Sequence, residues 1–341
     1  MDTPMPCSND CLNNVLDQIK PSVRGLAAYH APPQVQVSVK LNQNESPFDI
    51  PESLKDKILA NMKNQDWSRY PDYIPEKLRD KLAQHFKILP KQVLAGNGSN
   101  SLIYAVLSAV MQPDDTLLLS PPSFSLYELI GNIYEANLVQ IPQNPDFSIN
   151  EGQLFEAISE AKLSIFSSPC NPTGKIILLE TLEALLQSTP GLILWDEAYA
   201  EFSGQTAIPL LKTYPNLVIL RTFSKAFSMA GLRLGCLIAH PKLIEQIQKV
   251  TVPYHVNLFS MTAALHVLEE RQWLDENIQK ILIERNKLLQ SLKQSKCVKP
   301  IASETNFITF KVPDGKYVFQ KLLDGGILVR DMSSYAELKN Y

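Results

Sequence analysis

The sequence predicts an α/β protein: a large domain with a central, mostly parallel seven-stranded sheet flanked by helices, joined to a smaller α+β domain. Short apolar runs recur between helical stretches, and several lack the polar alternation of a half-buried strand, as strands covered on both faces do. Chemically capable polar residues fall repeatedly just past the ends of these runs, where open α/β sheets bind their ligands. After Pro300 the pattern changes to two strands around one helix. A length of 341 residues suits one large unit and one smaller one.

The first forty or so residues read as irregular, with Pro32-Pro33 as a breaker and 35–41 as a short alternating strand. Residues 54–62 read as a helix that Pro51-Glu52 starts, 67–75 as an aromatic, turn-rich stretch, and 76–86 as a second amphipathic helix. Val93-Leu94-Ala95 is the first strand of the sheet and leads through Gly96-Asn97-Gly98-Ser99 into a helix over 100–110. The strand 116–119 ends at Pro121-Pro122, before a helix over 126–134. Apolar runs at 136–141, 163–166, 192–195, 218–220 and 234–238 supply the remaining strands. Helices fill 243–250 and much of 260–291; beyond Pro300, strands at 306–310 and 327–329 flank a helix over 317–323. We assign 48–250 to the large domain, and 1–47 with 251–341 to the small one.

Composition narrows the function classes. Hydrophobic residues make up 45%, charged residues 20%, and the formal charge is -3, with no basic footprint for nucleic acid. No run approaches the ~18 apolar residues of a membrane span, and residues 1–14 do not resemble a signal peptide. The five cysteines are odd in number in a chain long enough to need no staples, which points to a reducing cytoplasm. Cys7 and Cys11 have the spacing of half a metal site, but no second pair follows, so no metal is expected; Cys236 reads as a small core residue.

The chemistry centres on Lys225, in Arg221-Thr222-Phe223-Ser224-Lys225, at the exit of a buried strand where desolvation favours a Schiff-base amine. Thr222, Ser224 and Arg233 are suited to hold a phosphate beside it. Gly98-Ser99-Asn100 opens a helix whose free N–H groups can bind the same phosphate; alone, it reads equally as a plain cap. Phe124, after Pro122-Ser123, can lie against an aromatic ring, although an aromatic near a strand end is usually core. Ser168-Pro169-Cys170-Asn171-Pro172-Thr173-Gly174 is a rigid turn whose Asn171 can donate to a phenolic oxygen. Asp196 directly follows an apolar strand, a position that demands a partner such as a protonated pyridine nitrogen. Tyr199 can reach the same ring's oxygen. Metal binding by Asp196-Glu197 competes, but no histidine lies nearby. Each segment alone could be structural; together they fit one cofactor, pyridoxal 5'-phosphate.

These segments, with Val23-Arg24-Gly25-Leu26-Ala27-Ala28-Tyr29, Leu41-Asn42-Gln43-Asn44-Glu45-Ser46-Pro47, Arg69-Tyr70-Pro71-Asp72 and Gly326-Ile327-Leu328-Val329-Arg330-Asp331, resemble the fold-type I pyridoxal-phosphate aminotransferases over most of the chain. The Asn44-Glu45 and Arg330 segments are closest to the branch acting on histidinol phosphate. The resemblance implies that Lys225 links the cofactor and then shuttles a proton, that Asp196 pairs with the ring nitrogen, and that Asn171 and Tyr199 bind the ring oxygen. Phe124 would stack where many relatives have tyrosine. Ser99, Asn100, Thr222, Ser224 and Arg233 would hold the phosphate, and Tyr70 would reach the phosphate in the neighbouring subunit, implying a homodimer. Tyr29, Asn44 and Arg330 would line the substrate pocket. The family's carboxylate-binding arginine follows a segment resembling Ser334 to Tyr341, so the small domain reads as shortened at its C-terminus.

The expected reaction is transamination between L-histidinol phosphate and 2-oxoglutarate, giving imidazole acetol phosphate and L-glutamate, a step of histidine biosynthesis. An aromatic-amino-acid aminotransferase and a threonine-phosphate decarboxylase on the same scaffold are the enzyme alternatives. An inactive ligand-binding relative is the other, but it would have no use for a Schiff-base lysine opposite a ring-nitrogen carboxylate.

Overall fold

A computed structural model describes residues 9–27 and 35–341. Its strands in chain order are β1 (Val39–Lys40), β2 (Val93–Gly96), β3 (Thr116–Leu119), β4 (Asn137–Gln140), β5 (Leu163–Ser167), β6 (Leu192–Asp196), β7 (Leu217–Thr222), β8 (Gly235–Ala239), β9 (Lys299–Pro300), β10 (Phe310–Lys311) and β11 (Ile327–Leu328). Seven of them form one sheet in the order β2-β8-β7-β6-β5-β3-β4. Strands β3 to β7 pair in parallel, and β8 alone runs against its neighbours β7 and β2. This is the expected mostly parallel seven-stranded sheet.

The missing polar alternation has its cause in this layering. Ile193, Trp195, Leu217 and Ile219 feed the core on one face, while Leu194, Val218 and Leu220 feed the core on the other. Each side chain so buried stabilises the fold by about 1.5–3 kcal/mol. The helices Gly98–Val110, Leu126–Ile133 and Pro241–Gln248 cover one face through Ile103, Tyr127 and Ile244. The helices Glu52–Lys63, Glu76–Phe86, Leu179–Gln187 and Leu258–Val267 cover the other. Met261 and Ala264 of Leu258–Val267 thus share a core with Leu54 and Ile58, across the proposed boundary at residue 250.

Several elements differ from expectation. Residues 9–24 are not irregular: they contain the helices Asn9–Leu16 and Pro21–Arg24. The strand expected over 35–41 shrinks to β1, because its parallel partner β11 offers only Ile327 and Leu328. The strand expected over 306–310 survives only as β10, antiparallel to β9. Residues just before it spend their polar groups elsewhere: Asn306 Nδ2 donates to Asn44 O (3.0 Å), and Thr309 Oγ1 donates to Pro172 O. The helical stretch at 260–291 is two helices, Leu258–Val267 and Arg271–Gln294, the first capped by Asn257 Oδ1 accepting from Ser260 N–H (2.8 Å). Helices Glu151–Ala157 and Leu179–Gln187 were not expected. No helix among the described residues is long and apolar enough to cross a membrane.

Candidate active site

The carboxyl ends of β2, β5, β6 and β7 open onto one cavity of about 1090 Å³. Lys225 sits on its floor just past β7. Its Nζ donates to Gln43 O at 2.7 Å and lies 5.8 Å from the Tyr199 ring centroid. Loss of solvent brings its pKa down from 10.5 to about 8, with Arg233 adding to the effect and Glu45 opposing it.

Asp196 ends β6 as a buried carboxylate. Its Oδ2 accepts from Tyr127 OH at 2.6 Å, and its Oδ1 accepts from Ala198 N–H at 2.9 Å. Burial pushes its pKa up to about 6, against the lowering effect of those two hydrogen bonds. No cation pairs with it among the described residues. Tyr199 OH accepts from Asn44 Nδ2 at 3.0 Å, and burial raises the phenol well above its ordinary range. Asn171 and Phe124 line the same cavity, and Phe124 meets Tyr127 edge-on, 5.7 Å between centroids.

A second corner collects phosphate-binding chemistry. Ser99 and Asn100 lie in the first turn of Gly98–Val110, Thr222 ends β7, and Ser224 and Arg233 face them across the cavity. Ser224 N–H donates to Thr222 Oγ1 (3.2 Å), and Arg233 Nη1 donates to Ala230 O (3.1 Å) and Ser224 Oγ (3.4 Å). Gly98 has φ +76, and a Cβ there would stand 2.6 Å from Arg233 Nη2. A Cβ on Gly235 would lie 2.5 Å from Ser99 N. The glycines therefore let a helix start, an arginine and β8 crowd one small volume.

Behind this wall lies a buried ionic cluster. Arg221 Nη1 pairs with Glu197 Oε2 and its Nη2 with Glu201 Oε1, both at 2.6 Å. Glu197 also accepts from Thr206 Oγ1 (2.7 Å) and Ala207 N–H (2.5 Å). The residue after Asp196 and the residue before Thr222 are thus locked together, which fixes the two strand ends against each other.

The cavity brings together Ser99, Asn100, Phe124, Asn171, Asp196, Tyr199, Thr222, Ser224, Lys225, Arg233, Asn44 and Arg330. Arg330 is exposed at its rim, with no ion pair among the described residues. Tyr70 is not brought in: it is 82% exposed and stacks on Tyr254, 4.8 Å between centroids. Tyr29, Cys7 and the Cys11 side chain lie outside the described residues. Among those described, no cluster of His, Cys, Asp or Glu suits a metal ion. Tyr127 and Gln43 escaped sequence reasoning. Tyr127 left one signal, a lone hydroxyl on the apolar helix Leu126–Ile133; the Gln43 contact is made by backbone and left none.

The residues present fit a phosphorylated pyridine aldehyde. They offer a desolvated amine for the aldehyde, an uncompensated buried carboxylate for a ring cation, and a cluster of neutral donors with one guanidinium for the phosphate.

Comparison with known proteins agrees. Residues 37–339 match the model of the family described as aminotransferase class I and II. The histidinol-phosphate aminotransferase of Chlorobium phaeovibrioides is 38% identical over 330 residues, covering 96% of this chain and 92% of that protein. Its namesake in Chlorobaculum tepidum is 35% identical over 325 residues, 94% of this chain and 93% of that one. Among solved structures, histidinol-phosphate aminotransferase from Sinorhizobium meliloti in complex with pyridoxal-5'-phosphate superposes with a TM-score of 0.84 at 24% identity, covering 92% of this chain and 89% of that one. L-threonine-O-3-phosphate decarboxylase from Porphyromonas gingivalis reaches 0.78 at 22% identity, over 89% and 92% of the two chains. These two likenesses concern the fold alone.

Proposed function

The chain belongs to the class I and II aminotransferases, and from that membership we propose that it transfers the amino group of L-histidinol phosphate to 2-oxoglutarate, giving imidazole acetol phosphate and L-glutamate. It is an aminotransferase dependent on pyridoxal phosphate. The observation that carries the substrate is the match, over 96% of this chain, to a relative named for histidinol phosphate. We place the step in histidine biosynthesis and the enzyme in the cytoplasm, the latter from the sequence reading alone.

When bound, pyridoxal phosphate supplies an aldehyde that links amines and a protonated ring that withdraws electrons from the bond being broken. The residues divide that work. Lys225, whose Nζ donates to the Gln43 carbonyl, would hold the cofactor at its aldehyde carbon. When free, its Nζ would be the base that takes the substrate's α-proton and the acid that gives it back. The lowered pKa suits both roles, because an appreciable neutral fraction exists near neutral pH. Asp196, held by Tyr127 and Ala198, would keep the ring nitrogen protonated. Asn171 and Tyr199 would donate to the ring oxygen, and Phe124 would cover the ring face. Ser99, Asn100, Thr222, Ser224 and Arg233 would anchor the phosphate, leaving Lys225 free for proton transfer.

Tyr29, Asn44 and Arg330 form the proposed substrate side. A guanidinium making paired hydrogen bonds to a phosphate dianion discriminates strongly against unphosphorylated analogues. Tyr70, which does not line its own cavity, would serve the phosphate of a partner subunit in a homodimer. A panel of amino donors followed by the change in cofactor absorbance tests the substrate. Histidinol phosphate should react far faster than phenylalanine, tyrosine or histidine. Arg330→Ala should lower its kcat/KM by about 10²-fold, the scale of a charge-assisted phosphate contact, while sparing the glutamate half-reaction. Equal rates with the aromatic amino acids, or carbon dioxide released from threonine phosphate, would overturn the proposal.

A further inference from the structure

A second, much smaller space lies at the end of β5, the strand paired with β6 beside Asp196. Ser167 is the cross-strand partner of Asp196 in the β5–β6 register and stands beside the Tyr127 oxygen. Its hydroxyl nevertheless has no well-formed hydrogen bond within the protein. A small cavity, with about 10 Å³ of room for the centre of a water molecule, is bounded by Ser167, Ser120, Gln143 and Cys170. Ser120 and Ser167 are 5% and 7% exposed, and the hydroxyl of each is unpaired, as is Gln143 Oε1.

The amide of Gln143 is fixed in orientation. Its Nε2 donates to Ser120 O and Pro122 O, both at 3.2 Å, and to Cys170 Sγ at 3.6 Å. The Cys170 thiol in turn donates to Pro122 O at 3.5 Å. Gln143 Oε1 is left as an unused acceptor. Three residues with unpaired oxygens thus line one space, Ser167 lining the main cavity as well, and each such oxygen would cost about 1–3 kcal/mol if left dry. A space of this size holds one water when two to four polar partners surround it.

We propose that one water molecule is bound between Ser120, Gln143 and Ser167, and that it orients Ser167 toward Tyr127 to complete a hydrogen-bond chain ending at Asp196. The donors and acceptors balance. The Ser120 hydroxyl donates to the water, and the water donates to Gln143 Oε1 and Ser167 Oγ. The Ser167 hydroxyl is then free to donate to the Tyr127 oxygen, and Tyr127 donates to Asp196 Oδ2. Apart from the branch to Gln143, every link donates toward the carboxylate, so Asp196 is held as an acceptor. The water site stands on this geometry; its effect on transamination rests on Asp196 facing the ring nitrogen as proposed above.

Oxygen-17 relaxation dispersion on the holoenzyme counts long-lived buried waters. The Ser120→Ala/Ser167→Ala double variant should show one fewer than the parent, and an equal count would overturn the site. The acid limb of the amino-donor half-reaction should move upward by about 0.5 pH unit in Ser167→Ala, since a carboxylate losing hydrogen-bond support is easier to protonate. Ser167→Thr, which keeps the hydroxyl, should restore it. Loss of the water with an unmoved limb would overturn the chain, while the Asp196 assignment is judged separately by the rates of Asp196→Asn. If Ser167→Ala does not fold, Ser120→Ala, which leaves β5 intact, carries the same two readouts.

Discussion

Two side chains at the centre of the site carry opposite electrostatic penalties. Lys225 has lost solvent and holds its proton weakly; Asp196 has lost solvent and holds its proton tightly. Only a neutral amine attacks an aldehyde, so cofactor capture by the cofactor-free protein should accelerate as pH rises through about 8 and level off above it, when followed by the growth of the cofactor's visible band. Lys225→Ala should abolish turnover yet still bind the cofactor through its phosphate. For Asp196, the folded pKa of about 6 lies above the ordinary 3.8, so folding is penalised when the group is ionised in both states, above about 6. The penalty fades as pH falls from about 6 toward 3.8. Asp196→Asn should therefore stabilise the cofactor-free protein by about 3 kcal/mol at pH 8, give little gain at pH 4, and slow α-proton removal in stopped-flow. Sequence alone exposed both residues, because a charged group at the end of an apolar run is conspicuous. Tyr127 was hidden because a tyrosine among apolar helix residues reads as core, and only the fold brings its hydroxyl to Asp196.

At the scale of elements, the ends of β6 and β7 are held by the Arg221 guanidinium shared between Glu197 and Glu201. Removing the arginine leaves two buried carboxylates uncompensated. Arg221→Ala should lower stability by about 3–5 kcal/mol in denaturant titration and weaken cofactor binding by letting the strand ends drift. Gly235→Ala, which drives a methyl into the Ser99 and Arg221 backbones, should cost about 1–3 kcal/mol by overpacking and raise the cofactor's dissociation constant. Elements with a strong local pattern were legible: the bounds of β3 and of the helix Glu76–Phe86 agree with those expected. Leu179–Gln187 was not, because Ile176 to Leu179 runs unbroken into it and hides the helical period. Nor were residues 306–309, whose polar groups serve the cavity wall rather than a ladder.

For the whole molecule, the exposed stack of Tyr70 on Tyr254, met edge-on by Tyr73, leaves an aromatic face uncovered in the single chain. A second subunit covering that face would carry Tyr70 to its own cofactor. Mixing Lys225→Ala with Tyr70→Phe subunits should then recover about a quarter of parental activity, since half the dimers are mixed and each holds one intact site. No recovery, with Tyr70→Phe severely impaired alone, would place Tyr70 in its own subunit's site; an active monomer in sedimentation would exclude the dimer.

The order of strands also sets when this enzyme can become one. β2 occupies a sheet edge and pairs only with β8, the last of the seven to be synthesised. A nascent chain that has not reached residue 239 has nowhere to dock β2, and so cannot bring the Ser99-Asn100 turn beside Thr222. Such long-range pairing forms late. Half of the proposed phosphate clasp therefore waits for the final strand. The cofactor's yellow colour should appear on ribosome-stalled chains only after β8 has emerged, making cofactor uptake a proofreading mark of a finished sheet.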